Sequence, residues 1–145
     1  MGKTIIRVPP EKLWHHPGAY SHGTVVEVKP GTKLLFLSGA IAGDTQGNRV
    51  GPGDMQAQVK QALENIRTVM EETGGTLNDV VQLRVYTPWM EEFRKTIDFR
   101  RREFPELFGE KPGDGPEKAT AVTLIGVTRL ASEDILIEIE AIAAI

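Results

Sequence analysis

Cysteine is absent from this chain of 145 residues. Disulfide bonds, thiolate catalysis, thiolate ligation of metals and iron–sulfur clusters are therefore all excluded. The soft metal ligands that remain are three histidines, His15, His16 and His22. Adjacent histidines project in different directions, and no acidic partner lies at helical spacing, so we predict a surface loop there and no metal site.

The chain also lacks an excess of positive charge. Seventeen basic and twenty acidic side chains give a net charge of −3, which provides no general attraction for a phosphate backbone. The one basic run, Arg100 to Arg102, is flanked by acidic residues at Asp98, Glu103 and Glu106. We therefore predict that this run is a solvated helix face, and that nucleic acid is not a partner.

No apolar run in the sequence is long enough for a signal peptide or a membrane-spanning helix. We therefore expect a cytoplasmic protein that has no membrane partner. A hydrophobic content of 40% and a charged content of 26% are typical of a soluble globular protein. Because the composition does not shift along the chain, a single domain over residues 1–145 is predicted.

Periodicity and turn residues predict the element order β-β-α-β-α-β-β. Asp54 is a suitable N-cap, and apolar residues then recur every three or four positions until Gly74 and Gly75 end the helix. Thr87 and Pro88 supply an N-cap and a first-turn proline for the second helix. The predicted strands span 24–28, 34–38, 81–86, 119–127 and 135–143, with the first two forming a hairpin. The predicted helices span 55–73 and 89–104, and the second is followed by a long surface loop over 105–118.

The last predicted strand has two different faces. One face is wholly apolar and is predicted to be core: Ile135, Ile137, Ile139, Ala141 and Ala143. The opposite face mixes apolar residues with the carboxylates of Glu138 and Glu140. Because two helices can cover only one face of the sheet, we predict that oligomerisation covers the other. The residues predicted to need this cover are Val122, Leu124, Leu136 and Ile142.

Four segments of the sequence resemble successive signature segments of the Rid family, whose name stands for reactive intermediate deaminase and which is also called YjgF or endoribonuclease L-PSP. They are PGAYSHG, FLSGAIAGDTQG, GDMQAQVKQALENIRTVMEETGGTLNDVVQLRVYTPWMEEF and ILIEIEAIAAI. The resemblance implies an α+β fold of the chorismate-mutase-like kind, a mostly antiparallel six-stranded sheet with two helices packed on one face. It also implies a homotrimeric barrel that binds small-molecule substrates in clefts between subunits. The activity it implies is hydrolysis of reactive enamines or imines to 2-keto acids and ammonia, without a cofactor.

The resemblance also implies which residues form the site. Tyr20, Ser38, Gly39, Phe93 and Glu140 match cleft positions of the family. Glu140 and Tyr20 are predicted to be catalytic, because water attack on an imine carbon and departure of ammonia both need positioned proton acceptors and donors. Ser38, Gly39 and Phe93 are predicted to bind the substrate.

The arginine with which typical members hold the substrate carboxylate falls on Val122, beside Thr123, and both residues are predicted to line the cleft. The family's cysteine falls on Leu124 and its asparagine on Ile97. Valine cannot make the two charge-assisted hydrogen bonds of an arginine fork. We therefore predict a non-classical substrate, such as a 2-aminomuconate-like enamine. The basic groups predicted to replace the arginine are Arg84, Arg129, Lys118 or a group of a neighbouring subunit.

Each of these assignments has a structural alternative. Glu140 is also suited to a salt bridge within the oligomer, and Glu138, on the same face, is predicted to form an ion pair with Arg84. Tyr20 is equally consistent with packing in a loop. Two other functions stay open at this point. One is a non-catalytic metabolite-binding or chaperone-like trimer, and the other is the ribonuclease activity of the family's older name, which the acidic balance disfavours.

Overall fold

The computed structural model describes residues 4–8, 12–13, 20–111 and 118–145. Within this part of the chain, six strands and four helices are joined by loops and one 3₁₀ turn, Leu77–Asp79. The strands are β1 (Thr4–Val8), β2 (Gly23–Glu27), β3 (Leu34–Ala40), β4 (Val80–Thr87), β5 (Ala121–Gly126) and β6 (Glu138–Ala144). The helices are α1 (Met55–Glu72), α2 (Met90–Arg94), α3 (Ile97–Glu103) and α4 (Pro105–Phe108).

Four strands form the main sheet in the order β3-β6-β4-β5, and β1 and β2 form a separate antiparallel pair. In the main sheet β4 and β5 run parallel, whereas the pairs on either side of β6 are antiparallel. The predicted α+β class is confirmed. The strands divide into sheets of four and two rather than forming the single six-stranded sheet that was expected, and β1 was not predicted.

Strands 24–28 and 34–38, which were predicted to form a hairpin, lie in different sheets. The turn between them is present, since the Thr32 N–H donates to the carbonyl of Lys29 at 3.0 Å and Gly31 has a φ of 92°. That turn carries the chain from the small sheet to the main one. The predicted hairpin is therefore wrong, because turn residues specify where a chain reverses but not which strands pair.

Helix α1 forms where the sequence predicts it. Oδ1 of Asp54 accepts the Ala57 N–H at 3.0 Å, which satisfies one of the unpaired donors of the first turn. The helix ends before Gly74, whose φ of 86° is a conformation that a glycine adopts without strain. One face of the helix is buried against the sheet by Met55, Gln58, Val59, Ala62, Leu63, Ile66 and Met70.

The helix predicted over 89–104 is divided into α2 and α3. Its predicted cap is wrong, because the N-cap residue is Trp89, which makes no side-chain cap bond, and Thr87 and Pro88 precede the helix. Oγ1 of Thr87 instead accepts the Trp89 N–H at 2.9 Å. The break falls at Thr96, whose hydroxyl donates to the carbonyl of Phe93 at 2.7 Å. A threonine hydroxyl that bonds to the preceding turn competes with the regular helical pattern, which accounts for the interruption.

The segment predicted as a surface loop over 105–118 begins with helix α4 instead. Pro105 occupies the first helical position, and Leu107 and Phe108 are fully buried. The surface-loop prediction is therefore wrong for this first turn, since the apolar side chains complete the core. Residues 112–117 lie outside the described residues.

Strand register separates the two faces of the main sheet. Leu83 on β4 lies opposite Val122 on β5 and Ala141 on β6, so these three residues share the face that packs against the helices. Leu124 lies opposite Val85 on the same face. The prediction that placed Val122 and Leu124 on the uncovered face is therefore wrong. Alternation assigns residues to the two sides of a strand, but it does not say which side faces the core.

The other face of the main sheet has no helix over it among the described residues. Arg84 lies there between Thr123 and Glu140. Phe36, which is 68% exposed, lies opposite Ile142 on the same face. The predicted mixture of apolar and charged residues on this face is confirmed for β6. The predicted core face of the last strand is confirmed as well, since all five of its residues are buried: Ile135, Ile137, Ile139, Ala141 and Ala143.

Gln58 on α1 is a fully buried polar residue that joins three parts of the chain. Its amide nitrogen donates to the carbonyls of Gly51 at 3.2 Å and Asp134 at 2.9 Å. Its amide oxygen accepts the Leu136 N–H at 2.9 Å. The side chain thus satisfies three backbone groups, and two of them, at Asp134 and Leu136, shortly precede β6.

We expect Gln58→Leu to lower the free energy of unfolding by about 2–4 kcal/mol, because three partly buried hydrogen bonds to backbone groups are lost. Urea unfolding followed by circular dichroism measures the change. Gln56→Leu is the matched control, since Gln56 is an exposed glutamine two residues earlier in the same helix. Its effect is expected to stay within about 0.5 kcal/mol. Equal effects of the two substitutions would contradict this role of Gln58.

Candidate functional site

An open cleft lies between β5 and the helices α2 and α3, with a volume of about 470 Å³. It brings together Tyr20 and Val122 of the predicted site with Ile97 and Leu124, the two other positions that depart from the family pattern. The residues that line the cleft are Tyr20, Met90, Arg94, Ile97, Arg100, Val122 and Leu124.

Tyr20 is held at this cleft by the residue that follows it. The Ser21 N–H donates to the carbonyl of Thr120 at 2.9 Å, and Ser21 pairs with Ala121 in a parallel bridge. The Tyr20 ring also meets the His22 ring edge to face, with 6.4 Å between centroids. The segment before β2 therefore runs beside the outer edge of β5 and places the tyrosine at the cleft wall.

Arg100 enters the cleft from α3, and only 5% of it is exposed. Its guanidinium carbon lies 4.1 Å from the ring centroid of Phe93 and 4.9 Å from that of Phe108. Its Nε–H donates to the hydroxyl of Thr96 at 3.0 Å. Burial, and secondarily the neighbouring charge of Arg101, lower the pKa of Arg100 to about 10, so the side chain is still protonated at neutral pH.

The solvated helix face predicted for the run Arg100 to Arg102 is therefore wrong for two of its three members. Arg100 and Arg101 are each 5% exposed, and only Arg102 is open to solvent. Aromatic rings from α2 and α4 bury Arg100, and sequence neighbours alone do not reveal them. Phe93, predicted to bind the substrate directly, is fully buried, and its ring supports the Arg100 guanidinium.

Ser38 and Gly39 lie on β3, at the opposite edge of the main sheet. The register between β3 and β6 shifts between Leu37 and Ala40, so the two residues form a bulge. A Cβ built on Gly39 would overlap the carboxylate of Glu138. Only a glycine therefore allows this carboxylate to lie against the β3 backbone.

Glu140, the predicted catalytic carboxylate, lies on the uncovered face with two partners. It accepts the hydroxyl of Tyr86 at 2.5 Å and forms an ion pair with Arg84 at 3.4 Å. The hydrogen bond to Glu140 is the main reason that the pKa of Tyr86 is raised. The ion pair predicted between Glu138 and Arg84 is therefore wrong, because β4–β6 register places Arg84 opposite Glu140.

The predicted site residues thus form two groups at opposite edges of one sheet. Ser38 and Gly39 lie on the edge strand β3, and Val122 lies on the other edge strand, β5. Three strand spacings, about 14 Å, separate these edges. Thr123, predicted to line the cleft, lies on the uncovered face opposite Arg84 instead. A small substrate cannot contact both groups within a single chain.

Two residues of this region were missed by the sequence reasoning as site residues. Arg100 was read as part of a solvated run, and Glu138 as an ion-pair partner. For Arg100, the available signals were Phe93, seven positions before it, and Phe108, eight positions after it. No local sequence pattern indicates that these two rings enclose the arginine. Glu138 and Glu140 are two positions apart and lie on the same face of β6, so their spacing does not indicate which of them is the better candidate for proton transfer.

No group of three potential metal ligands occurs among the described residues. His22 is described, whereas His15 and His16 lie outside the described residues. None of the helices in the described ranges has the length and apolar character required to cross a membrane.

The sheet, its one-sided helix layer and the cleft beside β5 define a small protein of the α+β class. Residues 15–145 match the sequence pattern of the family described as endoribonuclease L-PSP. A RutC family protein of Pyrococcus horikoshii is 38% identical over 127 residues, which cover 87% of this chain and 86% of the relative. A RutC family protein of Pyrococcus abyssi is 36% identical over 144 residues, covering 99% and 98% of the two chains.

A solved structure gives the same result. The Rid-family protein YyfB from Yersinia pestis, described as being of unknown function, is 30% identical and has a TM-score of 0.74 over the whole of both chains. The chain therefore belongs to the endoribonuclease L-PSP family, that is, to the Rid/YjgF superfamily. The family resemblance noted in the sequence is confirmed.

Proposed function

We propose that this protein is a cytoplasmic, cofactor-free deaminase that hydrolyses a reactive enamine or imine to a keto acid and ammonia. An enamine first becomes the imine by taking up a proton at carbon and losing one from nitrogen. Water then adds to the imine carbon and gives up one proton, while the nitrogen takes one up. The carbon–nitrogen bond breaks as ammonia leaves, and the hydroxyl loses its proton to become the keto oxygen. The observation that carries the proposal is the division of the family's site residues between the two edges of the sheet. This division fits a cleft formed between two subunits.

In the proposed cleft, the β3 edge of one subunit meets the β5 edge of another. The first supplies the backbone of Ser38 and Gly39 together with the carboxylates of β6. The second supplies Tyr20, whose hydroxyl can donate to the substrate, and the wall formed by Val122. Placing reactive groups on two rigid sheet edges fixes their geometry in a way that loops alone would not.

Two carboxylates are candidates for proton transfer in this cleft. Glu138 is favoured by its contact with Gly39, which places it beside the β3 backbone of the proposed site. Glu140, the residue predicted from the sequence, already accepts a hydrogen bond from Tyr86 and pairs with Arg84. We therefore assign proton transfer to Glu138. Glu140 is assigned a supporting role, in which it holds the side chains of Tyr86 and Arg84 in place.

The homotrimer is part of the same proposal. The sheet face that carries Phe36 and Ile142 exposes apolar surface over its β3 edge, and association of three chains through this face would cover it. We expect sedimentation equilibrium at micromolar concentration to give three times the chain mass of 16.0 kDa. A monomeric mass would contradict both the assembly and the composite cleft.

The activity is tested by ammonia release from imines that amino acid oxidases or lyases generate in the assay. We expect faster release than in buffer for at least one substrate of a panel that includes dicarboxylic enamines. Turnover of 2-iminopropionate reports on position 122, where valine replaces the arginine typical of the family: slow turnover indicates that no other cation binds the substrate carboxylate, and fast turnover indicates that another cation does. The absence of acceleration for every substrate would refute the proposed activity.

The second candidate function is a non-catalytic metabolite-binding or chaperone-like trimer, which the valine at position 122 favours. A rise in the thermal midpoint with keto acids, without any turnover, is its expected signature. Ribonuclease activity is not supported, because two of the three arginines in the one basic run are buried.

A further inference from the structure

The cation of Arg100 is buried without an opposite charge among the described residues. Buried charges in proteins are normally paired with a counter-charge, since removal from water is costly. The described contacts of Arg100 are a neutral hydroxyl, that of Thr96, and the rings of Phe93 and Phe108. Another positive charge, Arg101, is its neighbour in the chain and opposes its protonation. Within the described ranges of the chain, these surroundings therefore include no anionic partner for Arg100.

The contacts of Arg100 also show which of its atoms are available. Aromatic rings interact with the flat faces of a guanidinium and leave its edge donors in place. The Nε–H is used by Thr96. The two terminal nitrogens have no hydrogen-bond acceptor among the described residues, and they form the planar fork that binds a carboxylate through two parallel hydrogen bonds.

Arg100 shares its cleft with Val122, the position from which typical members of the family present an arginine. The three basic residues of this chain that were predicted to replace that arginine are placed elsewhere or engaged. Lys118 lines another cleft, beside α4. Arg84 lies on the uncovered face and pairs with Glu140, and Arg129 lines a different cleft with Trp89. Arg94 lines the same cleft as Arg100, but it is exposed and pairs with Glu91 at 3.4 Å.

We propose that Arg100 binds the carboxylate of the compound that occupies this cleft, so that helix α3 supplies the cation that β5 lacks. The inference deepens the proposed function, on which it rests for the identity of the site. It makes the ligand an anion, most simply a 2-keto acid or its imine. The bound carboxylate would compensate the guanidinium for its lost hydration and raise the pKa of Arg100 toward its ordinary value.

The test is calorimetric binding of 2-oxobutanoate, with uncharged butanone as the comparison ligand. We expect wild-type protein to bind 2-oxobutanoate measurably and butanone at least about tenfold more weakly. Arg100→Met, which keeps the length but not the charge, should weaken 2-oxobutanoate binding at least about tenfold and leave butanone unaffected. Arg100→Lys, with a charge but no fork, should fall between the two.

Arg102→Met is the matched control, since Arg102 is exposed on the same helix and pairs with Glu103 at 3.0 Å. Its affinity for 2-oxobutanoate should match that of the wild type. The inference is overturned if Arg100→Met binds 2-oxobutanoate as tightly as the wild type. It is equally overturned if the wild type does not distinguish the acid from the ketone.

A second measurement on wild-type protein covers the case in which Arg100→Met fails to fold. The side-chain N–H signals of Arg100 should be shifted by the two flanking rings, and they should move on titration with 2-oxobutanoate. Unchanged signals at saturation would refute the inference. Neither readout needs turnover, so a protein that binds acids through Arg100 but releases no ammonia would refute the deaminase activity alone.

Discussion

The Glu138→Gln variant is expected to release ammonia about 10²–10⁴-fold more slowly than the wild type, because an amide cannot take up the proton that a general base removes from water. The substitution keeps the shape of the side chain beside Gly39, so the fold and the assembly should be unchanged. The comparison is kcat/KM for the best substrate of the panel, together with sedimentation and thermal unfolding of both proteins.

Glu140→Gln is the matched control for this prediction, because it removes the neighbouring carboxylate of the same strand and the same face. We expect a smaller loss of activity from it, because the introduced amide oxygen would still accept the Tyr86 hydroxyl while the ion pair with Arg84 is lost. If Glu140→Gln is the more damaging of the two, proton transfer belongs to Glu140, as the sequence alone suggests. If both variants keep full activity, neither carboxylate transfers the proton.

The second large effect is expected from Phe36→Glu, which should convert the proposed trimer to monomers and abolish activity with it. Three copies of an unpaired carboxylate would be removed from water in the assembly, and the cost of each is several kcal/mol. Sedimentation and ammonia release measure the two consequences. The monomer itself should still fold, because Phe36 is exposed within the single chain.

Val28→Glu is the control for that substitution. Val28 is also strongly exposed, at 70%, but it follows β2 and lies outside the main sheet. A new charge there should leave the mass and the activity unchanged. A trimer that tolerates Phe36→Glu would show that another surface holds the subunits together.

The parts of the fold that were predictable from the sequence are those determined by neighbouring residues. Helix α1 carries its own cap at Asp54, its own apolar periodicity and its own glycine terminator, so its prediction needed no tertiary contact. The break at Thr96 and the first turn of α4 depended on how side chains compete with the backbone and fill the core. Intrinsic helix propensity does not include either of these effects.

Pairing between distant strands was beyond local signals. The turn at Lys29 to Thr32 was identified, yet the strands that it joins pair with β1 and β6 instead of with each other. The prediction of which face of β5 is uncovered was wrong for a related reason. Residues on both faces of β5 are largely apolar, and only the pairing of Val122 with Leu83 shows which face lies toward the helices.

The candidate site divides in the same way. The family motifs predicted Tyr20, Ser38, Gly39 and Val122 as site positions, because those positions are read from the order of short segments. The roles proposed for Arg100 and Glu138 depend on contacts between residues far apart in the chain. Arg100 needs the rings of α2 and α4 to be buried, and Glu138 needs the glycine of β3 to make room.

Because the two groups of site residues lie on opposite edges of the sheet, every chain in the proposed trimer belongs to two clefts and completes neither alone. A defect confined to the β3 edge of one chain would then silence one cleft in three, and so would a defect confined to its β5 edge. A chain defective at both edges would silence two. Damage to one gene copy would thus cost twice as many clefts when it struck both edges as when it struck one, although the altered residues belong to one and the same polypeptide.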